Sequence, residues 1–544
     1  MVKLLEIPEI ICLICEQVQR SDLAKLLTVC RLFFECAVPL VWNSLPGSAP
    51  TILIKLLPEA DTYFRKDINS TINLRPLNAQ ALERFNFYAP YVRHLVRYFQ
   101  NKKSNIAWDR LLEIVDARPI LPNLEVLKLS LGNTIQDPAL YLSPYLSPNI
   151  VEISHVRNTH SFTEPKSLCG LVLTIAQMCP RIRSLNLNNA ASHMYAFMKP
   201  THATELARSL GQLRNLRVLG LGRVVLDPRV LKALGALPNL ESLALYETPG
   251  IWGSEEVPKL TDLSLPHSSF PALQNIGINP RFRPEPAILT WGITPLVHNL
   301  TSVSAHIDTP LTQAQASGFI RAICRYSPLI TALCIDCTQS PSYIALLSPE
   351  IIANLAKLPL QRLSLSGKDV YSGNLDMDKE RLVPALSFPR MEYLRIGGYF
   401  FTLDDLGLFA KQMPRLQQLS AKIELDIDCS PADKPPLLPI VSSPSQLYLH
   451  LRIFRRTTTQ CYTELGCGAP QEAEAIAVWL HTLWPNGVVC EAGRRQDGTE
   501  EVNLGYQINT ALRRLREDDG YGNQVEATLR MHPCKHVLPW LGRF

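Results

Sequence analysis

The stretch LPNLEVLKLS, residues 121–130, places leucines at 124, 127 and 129. In extended backbone Leu127 and Leu129 leave one face of a strand, and Lys128 between them leaves the other. The phrase returns as CPRIRSLNLN (179–188), LRNLRVLGLG (213–222), LPNLESLALY (237–246) and FPALQNIGIN (270–279). It continues as SPLITALCID (327–336), LPLQRLSLSG (358–367), FPRMEYLRIG (388–397) and MPRLQQLSAK (413–422). Weaker copies sit near Ile150, Leu300 and Leu447, and in the first of these His155 stands where an inward apolar residue is expected. Successive anchors lie between 24 and 34 residues apart, as from Leu216 to Leu240 and from Ile182 to Leu216. A short phrase at a near-constant period marks stacked units, each too small to bury its own apolar face alone.

The spacer between phrases has to cover the strand, and several spacers are written as helices. Asp227 is placed as an N-cap, Pro228 as the first helical residue, and Val230, Leu231 and Leu234 follow at helical spacing. Thr312 with Gln315 and Thr402 with Asp405 have capping-box spacing. They precede apolar helices containing Phe319, Ile320 and Ile323, and Leu406, Phe409 and Met413. Strand plus helix at this period is a leucine-rich repeat, in a variant with proline ahead of the strand, P-x-L-x-x-L-x-L. The expected fold class is α/β: a curved leucine-rich-repeat solenoid with parallel strands on the concave side and helices on the convex side. The asparagine usual after the strand is mostly missing, so a less regular side-chain ladder is expected. Outward strand positions, the expected substrate face, are Lys128, Asn186, Asn188, Tyr246, Asp336, Arg362, Tyr393, Arg395 and Gln418. Aromatic and arginine side chains among them suit a protein partner.

Composition narrows the function classes. With 46% hydrophobic and 19% charged residues over 544 positions, the chain can build a large core. A net charge of +5 without a Lys/Arg run disfavours nucleic acid and anionic membrane as partners. Glu6, Pro8 and Glu9 interrupt the first apolar run, so no secretory leader is expected, and no run of about 18 apolar residues suggests a membrane span. Most of the 14 cysteines lie in apolar elements, as Cys30, Cys179 and Cys324 do, which points to reduced thiols and a cytoplasmic or nuclear compartment.

The first 42 residues do not share the repeat. LEIPEIICLICEQV reads as a helix begun by Pro8, with Ile10, Ile11 and Ile14 at helical spacing; SDLAKLLTVCRLFFECA follows with Ser21 or Asp22 as a cap, and the segment ends in VPLVW at Trp42. About 40 residues this apolar cannot bury their own surface. The stretch resembles an F-box of the kind found before leucine-rich repeats in fungal proteins. Ile7-Pro8 stands where that family has Leu-Pro, Val29-Cys30-Arg31 matches its Val-Cys-Arg, and Trp42 its closing Trp. The resemblance implies docking onto a Skp-type adaptor and through it a cullin-RING (SCF) ubiquitin ligase. Carried over residue by residue, Ile7, Pro8, Ile10, Ile14, Leu26, Val29, Cys30, Phe33 and Trp42 are the expected adaptor contacts or their supports. The other reading of these helices is a cap over the first repeat.

The implied organisation is an F-box (1–48), a linker and capping region (49–115) containing RFNFYAPYVRHLVRYF, the solenoid (116–460), a C-terminal repeat or cap (461–510) and a tail (511–544). No P-loop, G-x-S-x-G or H-E-x-x-H motif is present. Cys334 and Cys337 lack a second pair at zinc spacing, and His532, Cys534 and His536 are packed too tightly for an ordinary zinc loop. No catalytic residue, metal or cofactor is therefore expected. The chain is read as a non-catalytic receptor for an unidentified protein substrate, or else as a repeat scaffold acting without a ligase.

Overall fold

The computed structural model describes residues 7–46, 49–58, 80–98, 115, 119–130, 142–155, 165–187, 200–246, 265–279, 290–307, 311–337, 346–367, 386–425, 447–456, 462–464, 470–484, 488–490 and 504–518. The chain divides into two compact units, residues 1–258 with 264–273, and residues 259–263 with 274–544.

Unit 1 opens with three helices, α1 (Pro8–Gln17), α2 (Arg20–Leu26) and α3 (Arg31–Trp42). Pro8 starts α1 because its fixed φ suits the first turn, where its missing N–H is not needed. Ile11 and Cys15, Leu23, and Cys36 with Ala37 bring the three helices onto one small core. From α3 the chain passes straight into β1 (Ser44–Leu45), followed by β2 (His94–Tyr98), β3 (Val126–Ser130), β4 (Glu152–His155), β5 (Ser184–Asn186), β6 (Val218–Gly222) and β7 (Ser242–Tyr246). Each pairs in parallel with the one before it. The register lays phrase on phrase: Leu45, Leu95, Leu127, Ile153, Leu185, Leu219 and Leu243 form one buried row. Helices Pro165–Met178, Pro200–Gly211 and Pro228–Gly235 pack side by side behind the strands. Asp227 caps the last of them, its side chain accepting from the Arg229 amide at 2.9 Å.

Three expectations change here. The repeat at Ile150 forms β4 despite His155, because backbone pairing to both neighbours is satisfied. The region read as a linker holds β2, a full strand of the sheet; Pro90, Val92 and Leu95 carry the start of the phrase, and Arg97 replaces its last apolar residue. A side-chain ladder also exists, placed before the strand rather than after it. The amides of Asn123, Asn149, Asn215 and Asn239 donate to the carbonyls of Pro90, Pro122, Pro180 and Arg214 at 2.9, 3.1, 3.0 and 3.0 Å.

Unit 2 repeats the scheme with β8 (Asn275–Asn279), β9 (Ser302–Ile307), β10 (Ala332–Cys337), β11 (Arg362–Gly367), β12 (Tyr393–Phe401), β13 (Gln418–Leu425) and β14 (Leu447–Arg456) in parallel order. Both expected capping boxes form, Thr312 with Gln315 ahead of the helix Gln313–Tyr326 and Thr402 with Asp405 ahead of Leu403–Gln412. Beyond β14, β15 (Tyr462–Glu464) turns back antiparallel and β16 (Val488–Cys490) pairs in parallel. Asn509 takes the place of a further strand: its carboxamide accepts from the Cys490 amide at 2.8 Å and donates to the Cys490 carbonyl at 2.6 Å. It does so from the helix Leu504–Asp518, which runs across the boundary expected at 510/511. The fold is the expected α/β leucine-rich-repeat solenoid type. No described helix is long and apolar enough to cross a membrane.

Candidate functional site

The N-terminal helices satisfy one another only in part. Ile7, Pro8, Ile14, Val29 and Cys30 of the expected adaptor contacts are exposed, whereas Ile10, Leu26, Phe33 and Trp42 are half-buried. Val29 is 61% exposed and Leu13, which the resemblance did not single out, is 60% exposed. An apolar surface of Ile7, Leu13, Ile14 and Val29 therefore stays wet above a core that Ile11, Cys15 and Leu23 already fill. Trp42 is committed elsewhere. Its ring stacks on Tyr88 at 4.5 Å, Phe34 stacks on Phe87 at 6.2 Å, and Phe87 meets Tyr91 edge-on at 5.7 Å. Arg20 donates from its guanidinium to the carbonyls of Val41 and Ser44, at 3.1 Å to the former. Trp42 thus belongs to the junction between the helices and the first strands.

The outward strand face differs between the units. In unit 1 Lys128 is exposed, but Asn186 and Tyr246 are only 8% and 7% exposed. Their side chains meet above Gly220 on the strand between them, Asn186 Nδ2 donating to Tyr246 Oη at 3.0 Å. A β-carbon at Gly220 would lie 2.5 Å from Asn186 Oδ1 and 2.9 Å from the Tyr246 ring, so only glycine admits this bridge. Burial pushes the Tyr246 hydroxyl pKa up. The expectation that these two residues lie open to a partner is corrected: they cover the strands beneath them. Asn188 lies outside the described residues.

In unit 2 the register sets outward residues in rows across the strands. Ser302, Ala332, Arg362, Tyr393 and Gln418 form one row, Ser304, Cys334, Ser364, Arg395 and Ser420 the next, and His306, Asp336 and Ser366 a third. Asp336 joins its neighbours: Oδ2 lies 3.0 Å from His306 Nδ1, and Oδ1 accepts from Ser366 Oγ at 2.9 Å. The His306 hydrogen bond holds the Asp336 carboxyl below the usual aspartate range, against an opposing desolvation, with Ser366 and the Arg395 charge assisting. Ser366 therefore reaches the carboxylate and not the imidazole, an arrangement that orients groups without activating a nucleophile. Tyr393 is buried at 8% exposure, its hydroxyl pKa raised by desolvation. Arg362 and Arg395 are exposed, and Gln418 is half-buried.

His306 and Ser366 were absent from the sequence reading, although each stands 30 residues from Asp336 at the same repeat position. Cys334 and Cys337 lie together in β10, and burial raises their thiols to about 11 and about 12. Neutral, buried thiols of this kind are packing residues. Among the described residues no group of three or more His, Cys, Asp or Glu side chains is arranged to hold a metal. His532, Cys534 and His536 lie outside the described residues.

No protein-family model matches the chain, and no curated protein matches it. Among solved structures it is similar to an internalin from Listeria monocytogenes, at 15% sequence identity over 68% of this chain and 90% of that one, with a TM-score of 0.26.

Proposed function

We propose that the chain is the substrate-recognition subunit of an SCF-type ubiquitin ligase, in which α1–α3 dock as an F-box on a Skp-type adaptor and the repeat strands hold a target protein. The observation that carries this reading is the wet apolar surface of Ile7, Leu13, Ile14 and Val29 on helices whose own core is already filled. Large apolar side chains left exposed on helices whose small core is already filled suit a partner surface. The chain then breaks no bond: it holds target lysines at high local concentration beside a conjugating enzyme carried by the cullin-RING partner. Such a role places it in the cytoplasm or nucleus. A second reading, a scaffold whose helices merely cap the first repeat, is favoured by the run of α3 into β1 and by the Trp42–Tyr88 stack.

Co-purification of the full chain with a Skp-type adaptor separates the two. The ligase reading expects a complex that Val29→Asp and Leu13→Asp each abolish, with the melting temperature of the chain unchanged because both side chains are about 60% exposed. Soluble wild-type protein that captures no adaptor would leave the scaffold.

A further inference from the structure

Among the described residues, unit 2 carries two exposed arginines without an ion-pair partner. Of the outward residues at the three aligned positions on β9, β10 and β11, and at Tyr393 and Arg395 of β12, the one carboxylate is Asp336, and two guanidiniums, Arg362 and Arg395, stand against it. Asp336 is engaged by His306 and Ser366, and neither arginine has a salt-bridge partner among the described residues. Adjacent strands lie about 4.8 Å apart and successive outward residues about 6.7 Å apart, so the two arginines, one strand and one row removed, reach a common point above Ser364. Tyr393, in register with Arg362 and two residues before Arg395 on the same strand, fills the corner between them. Ser304, Cys334, Ser364 and Ser420 in the row of Arg395 are small, and Cys334 and Ser364 are buried, so the exposed arginines stand above them.

We infer that this face of unit 2 binds an acidic peptide segment of the partner protein, with an Asp or Glu carboxylate held between Arg362 and Arg395. The inference rests on the receptor or scaffold reading of the strands and names the chemistry of what they hold. A guanidinium pair presents donors in a planar fork that matches a carboxylate. With Asp336 beside them, the two arginines leave one positive charge in excess, which a carboxylate neutralises and a phosphate dianion exceeds. Asp336 fixes the floor of the site through His306 and Ser366 and orients Arg395 through its charge.

Fluorescence anisotropy on the full chain tests this with a labelled Glu-rich peptide, the same peptide with Gln in place of every Glu, and a third with phosphoserine. The Glu peptide is expected to bind and the Gln peptide not to. Arg362→Ala and Arg395→Ala each weaken binding about tenfold, and added salt weakens it further. Equal binding of the Gln peptide, indifference to both arginine substitutions, or no binding of the Glu peptide overturns the proposal, and a preference for phosphoserine overturns its carboxylate assignment. Both arginines are exposed, so their variants should keep the wild-type melting temperature and any adaptor binding the chain possesses. Peptide failure with the adaptor still bound sinks this inference alone, whereas adaptor failure with the peptide still bound sinks the ligase reading alone.

Discussion

Unit 1 and unit 2 are built on the same phrase and the same buried row, yet they tie one repeat to the next with different side chains. Unit 1 does it at the entry to four of its strands, β3, β4, β6 and β7, where Asn123, Asn149, Asn215 and Asn239 each bond a carbonyl of the preceding repeat. The same position in unit 2 keeps an asparagine at 299 but holds Leu329, Arg390 and Arg415 in later repeats, which cannot serve that carbonyl in the same way. There the tie is internal: Trp291 Nε1 donates to Ser327 Oγ at 3.1 Å, and Ser327 Oγ donates to the Val297 carbonyl at 2.8 Å. The outward faces diverge in parallel, closed and neutral over Gly220 in unit 1, charged and open at Arg362 and Arg395 in unit 2. Backbone register and inward leucines suffice for the frame. Outward positions are then free either to seal the sheet or to meet a partner.

The largest effect should come from the tie in unit 2. Trp291 is fully buried and packs edge-on against Phe319 at 5.3 Å. Trp291→Ala removes that volume and leaves Ser327 without its donor, at a cost of about 3–5 kcal/mol. Trp291→Phe keeps most of the volume and strips the N–H, for about 1–3 kcal/mol. Urea unfolding of both variants checks the ranking, and a loss below about 1 kcal/mol for the alanine variant would show that the indole does not hold these repeats together.

What the sequence made legible was local. Asp227, Thr312 and Thr402 were readable as caps because a cap and its target lie within three residues, and Leu219 and Leu221 as inward because alternation is a two-residue rule. What crosses between repeats was not. His306, Asp336 and Ser366 are brought together only by lateral register, and Asn186 reaches Tyr246, 60 residues on, across a strand that happens to carry glycine. Alternation named Tyr246 and Tyr393 correctly as outward, but it cannot tell that a large outward ring folds down over its neighbours and becomes buried. β2 was hidden by Arg97, where the phrase calls for an apolar residue. On the N-terminal helices the resemblance picked out Val29 and Ile14 on the exposed surface but took Trp42 for part of it, since the rings of Tyr88 and Phe87 that Trp42 and Phe34 meet lie over forty residues away in sequence.

A middle-sized effect tests the ladder of unit 1. Asn215→Ala and Asn239→Ala each remove one exposed side-chain hydrogen bond to the preceding repeat, worth about 0.5–1.5 kcal/mol. The two rungs are neighbours, Asn239 bonding the carbonyl next to Asn215, so the departure of the double variant from the sum measures their coupling. Unfolding midpoints unchanged by both substitutions would mean the backbone pairing alone sets the register, which would erase the distinction between the units.

The smallest effect concerns Asp336 and is best seen against pH. Its folded-state pKa is lowered, first by the His306 hydrogen bond, with Ser366 adding to it. A depressed carboxyl pKa contributes stability that is complete above the unfolded value of about 3.9 and is lost as pH falls through the lower folded value. With its side chain 46% exposed, solvent screening holds the contribution to below about 1 kcal/mol. Asp336→Asn abolishes the titration, so the wild-type advantage over this variant should shrink as pH falls below about 4. Subtracting the two acid-unfolding curves cancels every other carboxylate, including those of unit 1. A difference that grows as pH falls below about 4 would carry the opposite sign and would mean that Asp336 is destabilised, not held, by the groups around it.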